Sequence, residues 1–207
     1  MHSRRSCFVE SLEKRTLLAG IPDLDVAKLA DVNLTGSSSN PQEFVQINDR
    51  IVFFLNYDSD EYVPYSYDPA TRTTEQLHPG NNHYSSPRFG GVMFEGLYYH
   101  SYNNNGTLWV TDGTAAGTRQ LRIGSAAGQL VTNVSSLTVF NESVYLSGST
   151  PATSEELFKT NGTHESTLLV KDIYPGNQGS RPQSMRVVDE TLFFSCITQG
   201  AGRELWK

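Results

Sequence analysis

An all-β fold built as an array of four-stranded sheets is what this sequence predicts, and three observations carry the prediction. The phrase Thr107-Leu-Trp-Val-Thr-Asp-Gly-Thr-Ala-Ala-Gly-Thr118 returns as Glu156-Leu-Phe-Lys-Thr-Asn-Gly-Thr163 with Ser166-Thr167 behind it, and begins again at Glu204-Leu-Trp-Lys207. Trp109 and Phe158 lie 49 residues apart and Phe158 and Trp206 lie 48 apart, a period found in solenoids and propellers. Val52-Phe-Phe-Leu55 and Leu192-Phe-Phe194 are apolar at successive positions, so both faces of those strands should be covered. Gly and Asn punctuate every run before three helical turns can form, which sets a helical repeat aside. Blades covered on both faces by their neighbours, with four strands each, make this a β-propeller-like array of about 48 residues per repeat. A stacked β-solenoid is the alternative.

Each repeat reads as four β-prone segments in a fixed order. The inner strand falls at 44–48, 92–95, 137–140 and 185–188, and the second at 51–55, 97–102, 144–147 and 192–197. Asn48-Asp49, Asn141-Glu142 and Asp189-Glu190 mark the hairpin between them, since Asn and Asp tolerate positive φ. The repeated phrase supplies the third strand, at 62–67, 108–111, 157–160 and from 205 onward. Alternation would turn Leu108 and Val110 to one side and Trp109 to the other. Asp112-Gly113 and Asn161-Gly162 then read as structural hairpin-turn pairs, and the outer strand follows at 74–77, 119–123 and 168–173.

The region from Asp31 to Gln42 parallels that from Asp172 to Gln183 at a constant offset of 141 residues, about three periods. Residues 1–23 therefore read as a flexible leader and 24–207 as the repeat region. Within it stand an outer strand at 24–32, three full repeats at 44–182 and a partial repeat at 183–207. The last phrase stops before its own turn, so an incomplete fragment, continued by further repeats of the same chain, is expected. Propellers often close by completing one terminal blade with the other terminus, so the strand at 24–32 is expected to pair with a final blade.

The repeated phrase resembles the ELWxxDGT repeat family of bacterial secreted and surface proteins, over roughly residues 25–207. That resemblance implies β-propeller-like repeats and carries no agreed activity. Val110 stands where the family has Lys, Asn161 where it has Asp, and the first repeat has Pro64-Tyr-Ser-Tyr-Asp-Pro-Ala-Thr71 in place of the phrase. Leu12-Glu-Lys-Arg-Thr-Leu-Leu-Ala-Gly20 is similar to the LEPR-XLL motif near the start of large bacterial surface proteins, with Lys14 in the place of Pro. Together the two resemblances imply an extracellular or cell-surface location.

Composition narrows the partners. The net charge is −6, and residues 29–207 carry 11 basic and 18 acidic side chains, which disfavours nucleic acid and anionic membranes. No apolar run reaches the roughly 20 residues that span a bilayer, so membrane insertion is not expected. Cys7 and Cys196 form no framework, and Cys196, inside a β-prone run, reads as a buried inert thiol.

Catalytic spacing is absent: there is no HExxH, no GxSxG and no Cys/His metal pattern. The carboxylates of Asp58-Ser-Asp-Glu61 lack the Gly and Glu of a calcium loop and read as a solvated hairpin tip. Asp31 and Asp172 recur at the ends of outer strands, suited to accept backbone hydrogen bonds from the next loop, with calcium as the other reading. His78 and His83 share one loop, too little for a metal site. No cofactor is expected.

Eight of the ten tyrosines (Tyr57, Tyr62, Tyr65, Tyr67, Tyr84, Tyr98, Tyr99 and Tyr102) crowd into one stretch, ending beside Asn103-Asn-Asn105. Tyrosine offers a stiff apolar face with a hydrogen-bonding tip, suited to an extracellular glycan or a surface protein. Tyr62, Tyr65, Tyr102 and Asn104 are the expected contacts, whereas Tyr98 and Tyr99 fall inside a β-run and are expected in the core. The competing reading makes the tyrosines packing between two blades. The function expected is a non-catalytic binding or structural module; the alternative is an extracellular polysaccharide-active enzyme using propeller loops.

Overall fold

The computed structural model describes residues 40–57, 61–78, 84–85, 90–102 and 105–207, and every regular element in them is a β-strand. The expected leader, the strand at 24–32 with its closure, Asp31 and the carboxylates at 58–60 lie outside the described residues. The first sheet comprises β1 (Pro41–Ile47), β2 (Arg50–Tyr57), β3 (Glu61–Asp68) and β4 (Thr73–Gln76). A short β5 (Tyr84–Ser85), which the sequence pattern missed, pairs with β3. The second sheet is β6 (Val92–Phe94), β7 (Leu97–Tyr102), β8 (Thr107–Thr111) and β9 (Arg119–Gln120). The third is β10 (Thr132–Phe140), β11 (Ser143–Thr150), β12 (Thr153–Thr160) and β13 (Leu168–Lys171). The fourth is β14 (Gln183–Val188), β15 (Thr191–Thr198) and β16 (Gly202–Trp206). All pairing is antiparallel and each sheet runs in chain order, the meander that the four recurring segments predicted.

The backbone repeats as closely as the sequence does. Asn40, Glu43 and Asn48 have positive φ, and so do Asn133, Ser136 and Asn141, and again Arg181, Ser184 and Asp189. The middle member of each trio sits where the inner strand's register shifts, a β-bulge that bends the strand. The last member opens the two-residue hairpin, as Ile47↔Arg50, Phe140↔Ser143 and Val188↔Thr191 show. One bulge and one tight turn therefore recur in the first, third and fourth sheets.

Strand alternation decides how the sheets join. On β7, Tyr98 enters a core with Ile47, Val52 and Phe54 of the first sheet, while Tyr99 enters one with Val134, Val144 and Phe158 of the third. On β11, Val144 and Leu146 face the second sheet, and Tyr145 packs with Leu192 and Phe194 of the fourth. The second and third sheets are thus sandwiched, while in the first sheet Val52 and Phe54 pack toward the second sheet and Phe53 and Leu55, also buried, cluster with Tyr67 of their own sheet. The same expectation holds only in part for the fourth sheet. Leu192 and Phe194 are buried against the third sheet, but Phe193, on the opposite face, stays half-exposed.

The turn of the repeated phrase differs from the expected hairpin. Val110 pairs with Arg119 and Lys159 with Leu168, so residues 111–118 and 160–167 form loops longer than a two-residue turn. Only the glycine of each pair has positive φ, 91° at Gly113 and 100° at Gly162. Threonines hold these loops shut. The Thr111 and Thr118 hydroxyls meet at 2.6 Å, as those of Thr160 and Thr167 do at 2.9 Å. Thr118 and Thr167 also donate to the carbonyls of Thr114 and Thr163, at 2.6 and 2.7 Å. In the first loop Asp112 Oδ1 accepts from the Thr114 amide at 2.9 Å; in the second the Ser166 hydroxyl does comparable work on Asn161 and Thr163.

Both glycines also lie against the first hairpin of the preceding sheet. A Cβ on Gly113 would stand 3.5 Å from Arg50, whereas one on Gly162 would come within 2.6 Å of the Tyr99 hydroxyl. Gly113→Ala is expected to cost about 1 kcal/mol from its φ alone, and Gly162→Ala about 2–3 kcal/mol, because Tyr99 is fully buried and must move. Urea midpoints check the order. Equal shifts would show that the Tyr99 contact adds nothing.

Candidate functional site

The expected tyrosine surface is not where the pattern placed it. Tyr62 is 8% exposed and Tyr102 3% exposed, so both are interior residues and not surface contacts. The reason is register: Tyr62 joins the core between the first two sheets, and the Tyr102 hydroxyl donates to the Tyr62 carbonyl at 2.9 Å. Tyr65 remains half-exposed, stacked on Phe53, its hydroxyl 3.5 Å from Gln76 Oε1. Asn104 lies outside the described residues. Tyr98 and Tyr99 are core, as expected.

What the tyrosines surround is a buried aromatic cluster with two imidazoles. The His78 ring lies 4.0 Å from both Tyr102 and Trp109, and His100 stacks on Tyr98 at 5.4 Å with Phe54 edge-on at 5.8 Å. His78 Nε2 and His100 Nδ1 are buried with no hydrogen-bond partner. Burial pushes His100 down to about 4, its link to the Ser101 backbone opposing, and pushes His78 down to about 2, with the His100 charge adding to the effect. Both rings are therefore neutral. No group of three His, Cys, Asp or Glu suited to a metal occurs among the described residues. The cluster has the chemistry of a packed seam.

The motif's first letter does unexpected work. Glu156 is fully buried, and its carboxylate accepts the amides of Ile173 at 2.9 Å, Tyr174 at 3.3 Å and Ser180 at 2.9 Å, plus the Ser180 hydroxyl at 2.5 Å. Asp172, expected to gather these amides, is instead exposed. Position explains the exchange: β12 points Glu156 inward beneath the loop, while Asp172 lies past the end of β13. At the matching place in the second sheet stands Thr107, whose hydroxyl accepts from Trp109 Nε1 at 2.9 Å and donates to the Tyr102 carbonyl at 3.0 Å. Glu204, which repeats Glu156 in the fourth sheet, is exposed, so the recurring letter did not by itself signal this role.

The loop held by Glu156 forms one wall of a polar cleft of 720 Å³. Asn177, Gln178 and Arg181 line it from that loop, Arg122 and Gln129 from the segment joining the second sheet to the third, and Asn133, Thr150 and Glu155 from the third. Backbone hydrogen bonds fix the walls. The Arg181 amide donates to the Glu155 carbonyl at 2.9 Å, and the Asn133 amide to the Asn105 carbonyl at 2.7 Å. The Arg122 amide donates to His164 Nδ1 at 3.1 Å, and its guanidinium to the Gly128 carbonyl at 3.1 Å. The cleft thus presents amides, hydroxyls and two guanidinium groups, with one carboxylate already bound by the Ser147 hydroxyl at 2.9 Å. Sequence reasoning missed it, because its lining residues come from three repeats and none is aromatic.

These features define the class: an all-β repeat protein of packed antiparallel sheets, with no helix long and apolar enough to cross a membrane among the described residues. No protein-family model matches the chain, and no curated protein matches it.

Proposed function

We propose that the chain is a non-catalytic binding module of the cell surface or extracellular space, its sheets arranged as propeller-like blades, and that it holds a glycan in the polar cleft. The cleft carries the reading. Sugars are recognised through many neutral donors and acceptors held in place beforehand, and this cleft offers them from walls pinned by backbone hydrogen bonds. The two resemblances in the sequence support the location, and sheets that pack in chain order support the blades.

A glycan binding screen tests it. Wild-type protein is expected to retain a subset of neutral or acidic oligosaccharides. Asn177→Ala combined with Gln178→Ala should weaken that binding roughly tenfold, with the melting temperature unchanged because both residues are exposed. A screen with no bound glycan, or a double variant that binds as wild type does, ends the proposal.

A further inference from the structure

We propose that the polar cleft selects acidic sugars, seating a carboxylate or sulfate group against Arg122 and Arg181; this rests on the glycan reading and narrows it to one class of ligand.

Charge singles the cleft out. The chain carries a net charge of −6, yet the charged residues lining the cleft are two arginines and one glutamate. Among the described residues the ion pairs belong to Arg50, which meets Asp68 at 3.2 Å and Glu75 at 2.7 Å. The cleft arginines have no such partner. The Arg122 guanidinium donates to a carbonyl, that of Gly128, and the exposed Arg181 guanidinium makes no hydrogen bond to a described residue. Glu155 pairs with neither, its Oε1 accepting from the Ser147 hydroxyl at 2.9 Å. Two guanidinium groups without a counter-charge at one cavity attract an anion, and their planar forks match the edge of a carboxylate or sulfate.

The backbone points the same way. Arg181 has a φ of 49°, in the left-handed region. The matching residues of the first and third sheets are asparagines, Asn40 at 36° and Asn133 at 52°. Asparagine takes that conformation more readily than arginine does, so the local fold gives no reason for an arginine there. The cleft gives one. Asn133 lines it too, so one place in the repeat supplies an amide from the third sheet and a guanidinium from the start of the fourth. Both arginines are rooted before any ligand arrives. The Arg181 amide is held by the Glu155 carbonyl, its neighbour Ser180 by Glu156, and the Arg122 amide by His164.

Calorimetric titration of the full chain with matched pairs tests the selection. Galacturonate, glucuronate and mannuronate oligosaccharides are each set beside their methyl esters, and sulfated galacto-oligosaccharides beside the unsulfated ones. At least one acidic member should bind about tenfold more tightly than its neutral twin, and added salt should weaken the acidic member alone. Arg181→Asn should remove most of that preference, while its melting temperature holds or rises because asparagine suits the φ. Arg122→Gln should reduce the preference as well. Equal affinity within every pair overturns the selection and leaves the glycan reading standing. So does an Arg181→Asn variant that keeps the full wild-type preference. Binding of no member of any pair overturns both.

Discussion

Replacing Glu156 with alanine should destabilise the protein by about 4 kcal/mol, because four donors lose their acceptor at once in a buried site. The amides of Ile173, Tyr174 and Ser180 cannot turn to other partners without unfolding the loop that joins the third sheet to the fourth. Glu156→Gln keeps the shape but turns an NH2 group toward some of these donors, so a loss of about half that size is expected. Denaturant titration reads both values, and amide exchange at Ile173 and Ser180 should speed up before the rest of the third sheet responds. A Glu156→Ala variant within about 1 kcal/mol of wild type would show that the loop is held by something else. Since Asn177 and Gln178 belong to this loop, either variant should also lose occupancy of the cleft.

Acid should loosen the seam between the first and second sheets well before the carboxylates are protonated. His100 is held at about 4 and His78 at about 2 in the fold, against about 6.5 when unfolded. The unfolded chain therefore takes up protons that the folded chain refuses, and stability falls as pH drops below about 6.5. The share from His100 stops growing near pH 4, and that from His78 continues toward pH 2. By pH 5 each imidazole costs about 2 kcal/mol, since each pH unit of this gap is worth about 1.4 kcal/mol. His100→Phe, between Tyr98 and Phe54, removes one share and should roughly halve the dependence between pH 6.5 and 5. An unchanged slope in that variant would mean that His100 is solvated or paired and titrates normally.

Some of this was legible in the residues and some was not, and the division is physical. The strand order, the two-residue hairpins and the positive φ at Gly113 and Gly162 depend on neighbours in the chain, so the repeated phrase and its Asn, Asp and Gly positions declared them. Loop length was misjudged, because Asp112-Gly113 reads as a two-residue turn whereas Thr111 and Thr118 close a longer loop through their side-chain hydroxyls. Burial on both faces of the residues from Val52 to Leu55 could be read from successive apolar letters.

Tyr62 and Tyr102 show the limit. Tyrosine is equally at home at a surface and in a core with its hydroxyl satisfied, and only the neighbouring sheet decides which. Here that sheet brings the Tyr62 carbonyl to the Tyr102 hydroxyl and buries both rings. Glu156 is the same lesson in reverse: a charged letter that suggests solvent is interior, because its acceptors are needed 17 to 24 residues further on. The sequence by itself determined the β architecture, its period and its two-residue hairpins, which local sterics and hydrogen bonding dictate. The tertiary structure alone decided which polar residues face water, because burial depends on what the next sheet sets against each face.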